Sequence, residues 1–335
     1  MAALLAPVRF CLTVLALVGA LALAVPASAQ QPSSVNPTAS SVKEQQLLKE
    51  LNRVQGRGTL PDSKSYVLEQ PAGRDWRQFH EVTLRWLGAI VILGMLAVLV
   101  LFFLVRGRVR IEAGRSGQTL VRFNAFERFV HWMTAVSFLV LAFTGLNITF
   151  GRWLLMPYFD PESFAVGSQY AKYVHSYVSF PFTIGVVLTF LIWIAGNLPS
   201  GGDLTWIKQG GGIVGNSHPP AKRFNPGQKL IYWVVVLGGG AVAITGYLLM
   251  FPFYATEIAG MQLAQIVHGV VSVLFVAIML AHIYIGTIGM EGAFEAMGRG
   301  DVDVNWAQQH HSLWLERERE KGRVDAQGGQ VAPAE

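Results

Sequence analysis

The chain has 335 residues, of which 52% are hydrophobic and only 14% charged. Soluble domains carry about 25% charge, so a soluble fold is excluded, and the aromatic content excludes disorder over most of the length. One cysteine excludes a disulfide scaffold, and the net charge of +5 is not a nucleic-acid signal because the basic residues lie beside apolar runs.

Residues 1–29 read as a secretory signal. Arg9 opens it, Cys11 to Val25 is apolar, and Ala27-Ser28-Ala29 offers a small-residue cleavage site. Cleavage would remove Cys11, so the mature chain could ligate no iron–sulfur cluster and attach no c-type haem. Residues 30–83 are polar and expected in the periplasm. Ser41 to Arg53 has the pattern of a short amphipathic helix, and His80 is expected at the surface.

Five uncharged runs follow. They lie between Arg85 and Arg106, between Arg128 and Arg152, and from Tyr173 to Gly202, Leu230 to Thr256 and Ile258 to Met290. Each meets the ~20 residues that cross a ~30 Å hydrocarbon core, and helices satisfy their own backbone groups in lipid. Arg106, Arg108, Arg110, Arg115, Arg122 and Arg128 crowd the first connection. Lys208, Lys222, Arg223 and Lys229 fill the third, and five basic residues from Arg299 to Arg323 follow the last run. The alternate connections are poor in basic residues, with Arg152 and Lys172 in one and none in the other. The positive-inside rule puts the rich segments in the cytoplasm, in agreement with a signal peptide that sends residue 30 outside.

Four of the eight histidines, His131, His175, His268 and His282, lie inside the apolar runs. An ionisable group at membrane depth points to function. His131 begins the second run on the cytoplasmic side, and His175 begins the third on the periplasmic side. The fifth run carries His268 near its outer end and His282 14 residues further in. That is about 21 Å along a helix and about 40° around it, so the two share a face. The expectation is two layers, His175 with His268 outside and His131 with His282 inside. Zinc sites want three or four ligands, whereas two axial imidazoles complete a six-coordinate b-type haem, leave no open position and suit electron transfer. Gly145, Gly185, Gly246 and Gly269 lie near the histidine levels, either to admit a macrocycle or for ordinary helix packing.

The contexts are Arg128-Phe-Val-His131-Trp132, Tyr173-Val-His175, Ile266-Val-His268-Gly269 and Ala281-His282-Ile-Tyr284. Phe224-Asn225-Pro226-Gly227-Gln228-Lys229 and Trp306-Ala-Gln-Gln-His310-His311-Ser-Leu-Trp314 accompany them. Over about residues 120 to 320 this set resembles the gamma subunit of membrane-bound respiratory formate dehydrogenase, a cytochrome b. The resemblance implies an all-α integral membrane fold with a four-helix di-haem core, here extended by one N-terminal transmembrane helix. It implies two haems b, one on His175 and His268 and one on His131 and His282. It also implies a menaquinone or ubiquinone site at Asn225, Gly227 and Gln228 beside the cytoplasmic haem. Amide donors for a quinone carbonyl, and a glycine that admits the ring, fit that role. Asn225 and Pro226 equally spell a helix start.

The resulting division is signal peptide 1–29, periplasmic segment 30–83, extra helix 84–106, di-haem domain 107–300 and cytoplasmic tail 301–335. The resemblance implies partners: an iron–sulfur (beta) subunit and a molybdenum- or tungsten-containing catalytic (alpha) subunit, in the bacterial inner membrane. Electrons would pass through the haems to quinone, and formate itself would be oxidised by the partner. The cytochrome b of a membrane-bound hydrogenase is the nearest alternative, and a haem-free transporter or anchor a more distant one. His310 and His311 are expected in a structural or surface role, and His218 in a loop.

Overall fold

The computed structural model describes residues 71–212 and 217–324. The signal sequence and the amphipathic segment from Ser41 to Arg53 fall outside the described residues. Five helices are long and apolar enough to cross a membrane: Gly73–Arg106, Ala125–Leu154, Pro161–Gly196, Pro226–Met250 and Ile258–Gly289, here spans one to five. The protein is an all-α integral membrane protein, with one short two-stranded ribbon among the described residues.

Two spans begin well before their uncharged runs. Span three starts at Pro161 rather than near Tyr173, because Asp160 caps it by accepting from the Ser163 amide (2.9 Å) and Pro161 takes the first turn. The twelve added residues include Glu162 and Lys172, which a charge-free run cannot register. Span one is already helical at Pro71 and passes through a π-helical turn, Phe79–Thr83, into Leu84–Arg106. A boundary at residue 83 therefore falls inside a continuous helix. His80, half-buried, stacks on Trp76 at 5.6 Å.

Spans two and three pack along each other, span five packs on span four, and span one lies against span five. Close approach is set by small residues. A Cβ on Gly185 of span three would collide with Thr134 of span two, and one on Gly269 of span five with Leu84 of span one. Those two glycines are thus taken up by helix packing. Span one exposes most of its apolar side chains, including Ile90, Leu101 and Leu104, as expected of a helix whose solvent is lipid. Midway along the bundle Phe138, Phe182, Phe275 and Met279 form a small core, with Phe138 and Phe275 rings 4.9 Å apart.

The larger core sits at one end, in a cap outside the spans. Strand β1 (Thr119–Val121) pairs antiparallel with β2 (Asp301–Asp303), Leu120 opposite Val302. Two short helices, Val304–His310 and Ser312–Glu320, fold back over the ribbon. Leu120, Val302, Trp306, Leu315 and Trp314 are buried there beside Trp193 and Tyr232 from spans three and four. Residues 301–324 are therefore part of a folded cap. The cap lies outside the membrane-spanning helices, where apolar burial from water would stabilise it at about 25 cal/mol per Å²; within lipid an outward leucine costs nothing comparable.

Candidate functional site

The structure brings the four intramembrane histidines together in two pairs. His131 of span two meets His282 of span five with ring centres 6.4 Å apart, toward the cap. His175 of span three meets His268 of span five at 6.3 Å, toward the far end. Phe275 lies seven residues from each histidine of span five, so the aromatic core fills the level between the pairs. Imidazoles bound on opposite sides of one metal, at about 2 Å per bond, would have ring centres about 6 Å apart. Both pairs match that spacing. Among the described residues no cluster of three or more metal-ligating side chains occurs, so the donor set is two nitrogens per level, which suits a group supplying its own equatorial ligands.

At the far pair the rings are held. Thr144 Oγ1 lies 2.8 Å from His175 Nδ1, and Thr245 Oγ1 lies 3.1 Å from His268 Nδ1. The next residue on each helix is glycine, and a Cβ there would sit 3.4 Å from His175 Cε1 at Gly145 and 3.3 Å from His268 Cε1 at Gly246. These two glycines leave room for imidazole edges. At the cap-side pair His131 packs edge-on against Trp132 (5.2 Å), whose Nε1 donates to the Met297 carbonyl (2.9 Å). His131 Nδ1 is buried and without a hydrogen-bond partner among the described residues.

Asn225, Gly227 and Gln228 stand at the cap-end start of span four. Asn225 Oδ1 accepts from the Gln228 amide (2.9 Å), and Gln228 Oε1 accepts from the Asn225 amide (3.1 Å), a reciprocal capping box. Gln228 Oε1 also accepts from Arg122 (3.2 Å). Both carboxamide oxygens are thus committed. Among the described residues, the two carboxamide nitrogens carry no hydrogen-bond partner and remain available as donors. Gly227 faces the buried Trp206, 3.4 Å from where its Cβ would be.

A polar network anchors this loop to span two. Glu127, one turn before His131, accepts from both Arg223 (2.7 and 2.9 Å) and Trp193 Nε1 (2.9 Å), and from the Asn124 amide (3.0 Å). Arg122 donates to the Arg223 carbonyl and lies over Trp306 (5.0 Å) and Trp314 (5.6 Å). Burial, then the nearby Arg223, pushes its guanidinium down to about 9. Lys229 is held by Asp203 (2.8 Å) and Ser200 (3.1 Å).

His310 and His311 are buried in the cap, at 7% and 0% exposure. His311 Nδ1 lies 2.7 Å from the Lys222 carbonyl. His310 packs against Trp306 (5.3 Å) and His218 (6.1 Å), while His218, in its loop, reaches Glu112 (2.9 Å). Burial, then His218 and Arg122, pushes His310 down to about 4 against the pull of Glu112. Burial and Arg122 hold His311 well below its ordinary value.

Sequence reasoning missed Thr144, Thr245, Glu127 and the cap role of Arg122. The one signal for the threonines was the Thr-Gly pair, which recurs on spans two and four.

Fold and site together define a helical membrane protein that carries paired histidines at two levels of one bundle. Residues 122–300 match the prokaryotic cytochrome b561 family, more than half of the chain, and the chain belongs to that family. The family implies haem b, and the spacing and donor set of the histidine pairs fit it. The chain is similar to the formate dehydrogenase cytochrome b556(fdo) subunit of Escherichia coli strain K12, 28% identical over 206 residues, 60% of this chain and 94% of that one. The nitrate-inducible formate dehydrogenase cytochrome b556(Fdn) subunit of the same organism is 24% identical over 217 residues, 62% and 95%. The formate dehydrogenase cytochrome b556 subunit of Haemophilus influenzae is 25% identical over 226 residues, 63% and 90%.

Proposed function

We propose that this protein is the cytochrome b (gamma) subunit of a membrane-bound formate dehydrogenase, with two haems b, linking a formate-oxidising partner to membrane quinone. The observation that carries the reading is the stacking of two histidine pairs along span five at the spacing of opposed ligands. The relatives named as formate dehydrogenase cytochrome subunits supply the partner chemistry. His175 and His268 are assigned to one haem, His131 and His282 to the other. When bound, the haems would supply one-electron carriers.

The chain's own residues do the rest. Span five fixes one ligand of each pair on one rigid helix. The Phe138, Phe182 and Phe275 layer excludes water between the levels. At the cap end the free amide nitrogens of Asn225 and Gln228 would donate to a carbonyl oxygen of menaquinone or ubiquinone, with Gly227 between them packed on Trp206. The Arg223–Glu127 pair fixes this loop against the helix that carries His131. Basic residues flank the cap end of the spans, so the cap is assigned to the cytoplasm and the far end to the periplasm. There an iron–sulfur subunit and a molybdenum- or tungsten-containing subunit would dock. Protons for quinone reduction would then be drawn from the cytoplasm.

The test is isolation of the intact complex with metal analysis, a reduced-minus-oxidised spectrum and a formate-to-quinone assay. Molybdenum or tungsten, b-type bands and formate-driven quinone reduction are expected. Nickel with hydrogen-driven reduction would assign the chain to a hydrogenase, and absence of b-type bands would remove the haem reading.

A further inference from the structure

We propose that Thr144 and Thr245 are positioning residues that fix the tautomer and orientation of His175 and His268, and so set the properties of the far-side haem alone. The inference rests on the di-haem reading above. Each threonine hydroxyl has one hydrogen. Thr144 Oγ1 lies 2.7 Å from the Val140 carbonyl one turn back, and Thr245 Oγ1 lies 2.7 Å from the Ala241 carbonyl. A carbonyl can only accept, so each hydroxyl donates its hydrogen there. The contact to the imidazole must then run the other way: His175 Nδ1–H and His268 Nδ1–H donate to the threonine oxygens, with the Leu141 and Val242 carbonyls as second acceptors beside them. In a neutral imidazole that leaves Nε2 as the one lone pair on each ring, the form a metal ligand requires.

The device is duplicated. Span two presents Thr144-Gly145 to a histidine on span three, and span four presents Thr245-Gly246 to a histidine on span five. In both, the hydroxyl holds Nδ1 while the glycine leaves the Cε1 edge free. Rotation of either ring about its Cβ–Cγ bond would break the hydrogen bond, so the ring plane is fixed as well as the tautomer. The cap-side pair lacks an equivalent at His131, whose Nδ1 has no partner among the described residues. It therefore serves as an internal control. A hydrogen bond that draws on Nδ1–H makes the imidazole a stronger donor and favours the oxidised metal.

The experiment uses the purified full-length protein carrying Thr144→Val or Thr245→Val, with Thr→Ser at each position as the conservative variant. Haem content, the midpoint potential of each haem and the low-spin ferric resonance signals are measured. Valine keeps the shape and removes the oxygen. It should raise the far-side potential, alter that haem's ferric signal and weaken its retention about 10–100-fold, the usual cost of losing such a support. The cap-side haem should be unchanged, and serine should restore the parent values. Where a valine variant does not accumulate, Thr→Ala reads the same quantities without the branched methyl. Two haems with unaltered potentials and signals in the valine or alanine variants would overturn the inference while leaving the di-haem reading intact. A parent protein without haem would remove both.

Discussion

Acidification should loosen the cap, and His310 should account for much of the response. The imidazole is 7% exposed, against Trp306 and His218, with Arg122 and His311 nearby and Glu112 beyond His218. Its pKa is lowered from 6.5 to about 4. Between those values the opened cap binds a proton that the closed cap does not, so stability rises with pH there. The contribution is fully present above about 6.5 and is lost as pH falls toward 4. At pH 4.5 the loss is on the order of 2–3 kcal/mol, a tens-fold increase in opening. His311 acts with the same sign. The assay is hydrogen exchange over residues 301–324 in a lipid nanodisc from pH 8 to 4.5, corrected for the intrinsic pH dependence of exchange. His310→Phe, which keeps an aromatic ring against Trp306, should make the opening free energy fall less steeply with acid. Identical profiles for parent and variant would refute the argument that the buried imidazole carries this cost.

Three further outcomes are expected. His268→Ala and His282→Ala should each leave one haem b per chain, read by pyridine haemochrome; two haems in either variant would contradict the assigned pairing. Asn225→Ser keeps an oxygen to cap span four and removes the amide nitrogen, so stability should stay within about 0.5 kcal/mol while quinone reduction falls; Asn225→Ala should add about 1 kcal/mol of destabilisation through the lost cap. Normal quinone kinetics in the serine variant would take Asn225 out of the site. Glu127→Gln should destabilise the junction of cap and bundle by about 2 kcal/mol in thermal unfolding. That is below the ~3–5 of a fully buried pair because the Arg223 side chain is 37% exposed, and an unchanged transition would show the pair to be idle.

The amino-acid sequence by itself determined the number of spans, because twenty apolar residues in lipid have few ways to satisfy their backbone. It also paired His131 with His282 and His175 with His268, since depth follows from distance to flanking charges and direction from helical period. Both are local quantities, and the structure brings the same residues together. The starts at Pro71 and Pro161 escaped that reading because a helix continues past the membrane-apolar stretch wherever caps and turns allow.

Tertiary structure alone decided the rest. Glu127 meets Arg223 across 96 residues of chain, Arg122 meets Gln228 across 106, and β1 finds β2 across about 180. No local period encodes such meetings. The threonines behind the far-side histidines are of the same kind: a threonine in an apolar helix bonds to its own backbone in any fold, and only the neighbouring helix supplies the imidazole that turns that habit into a constraint on a ligand.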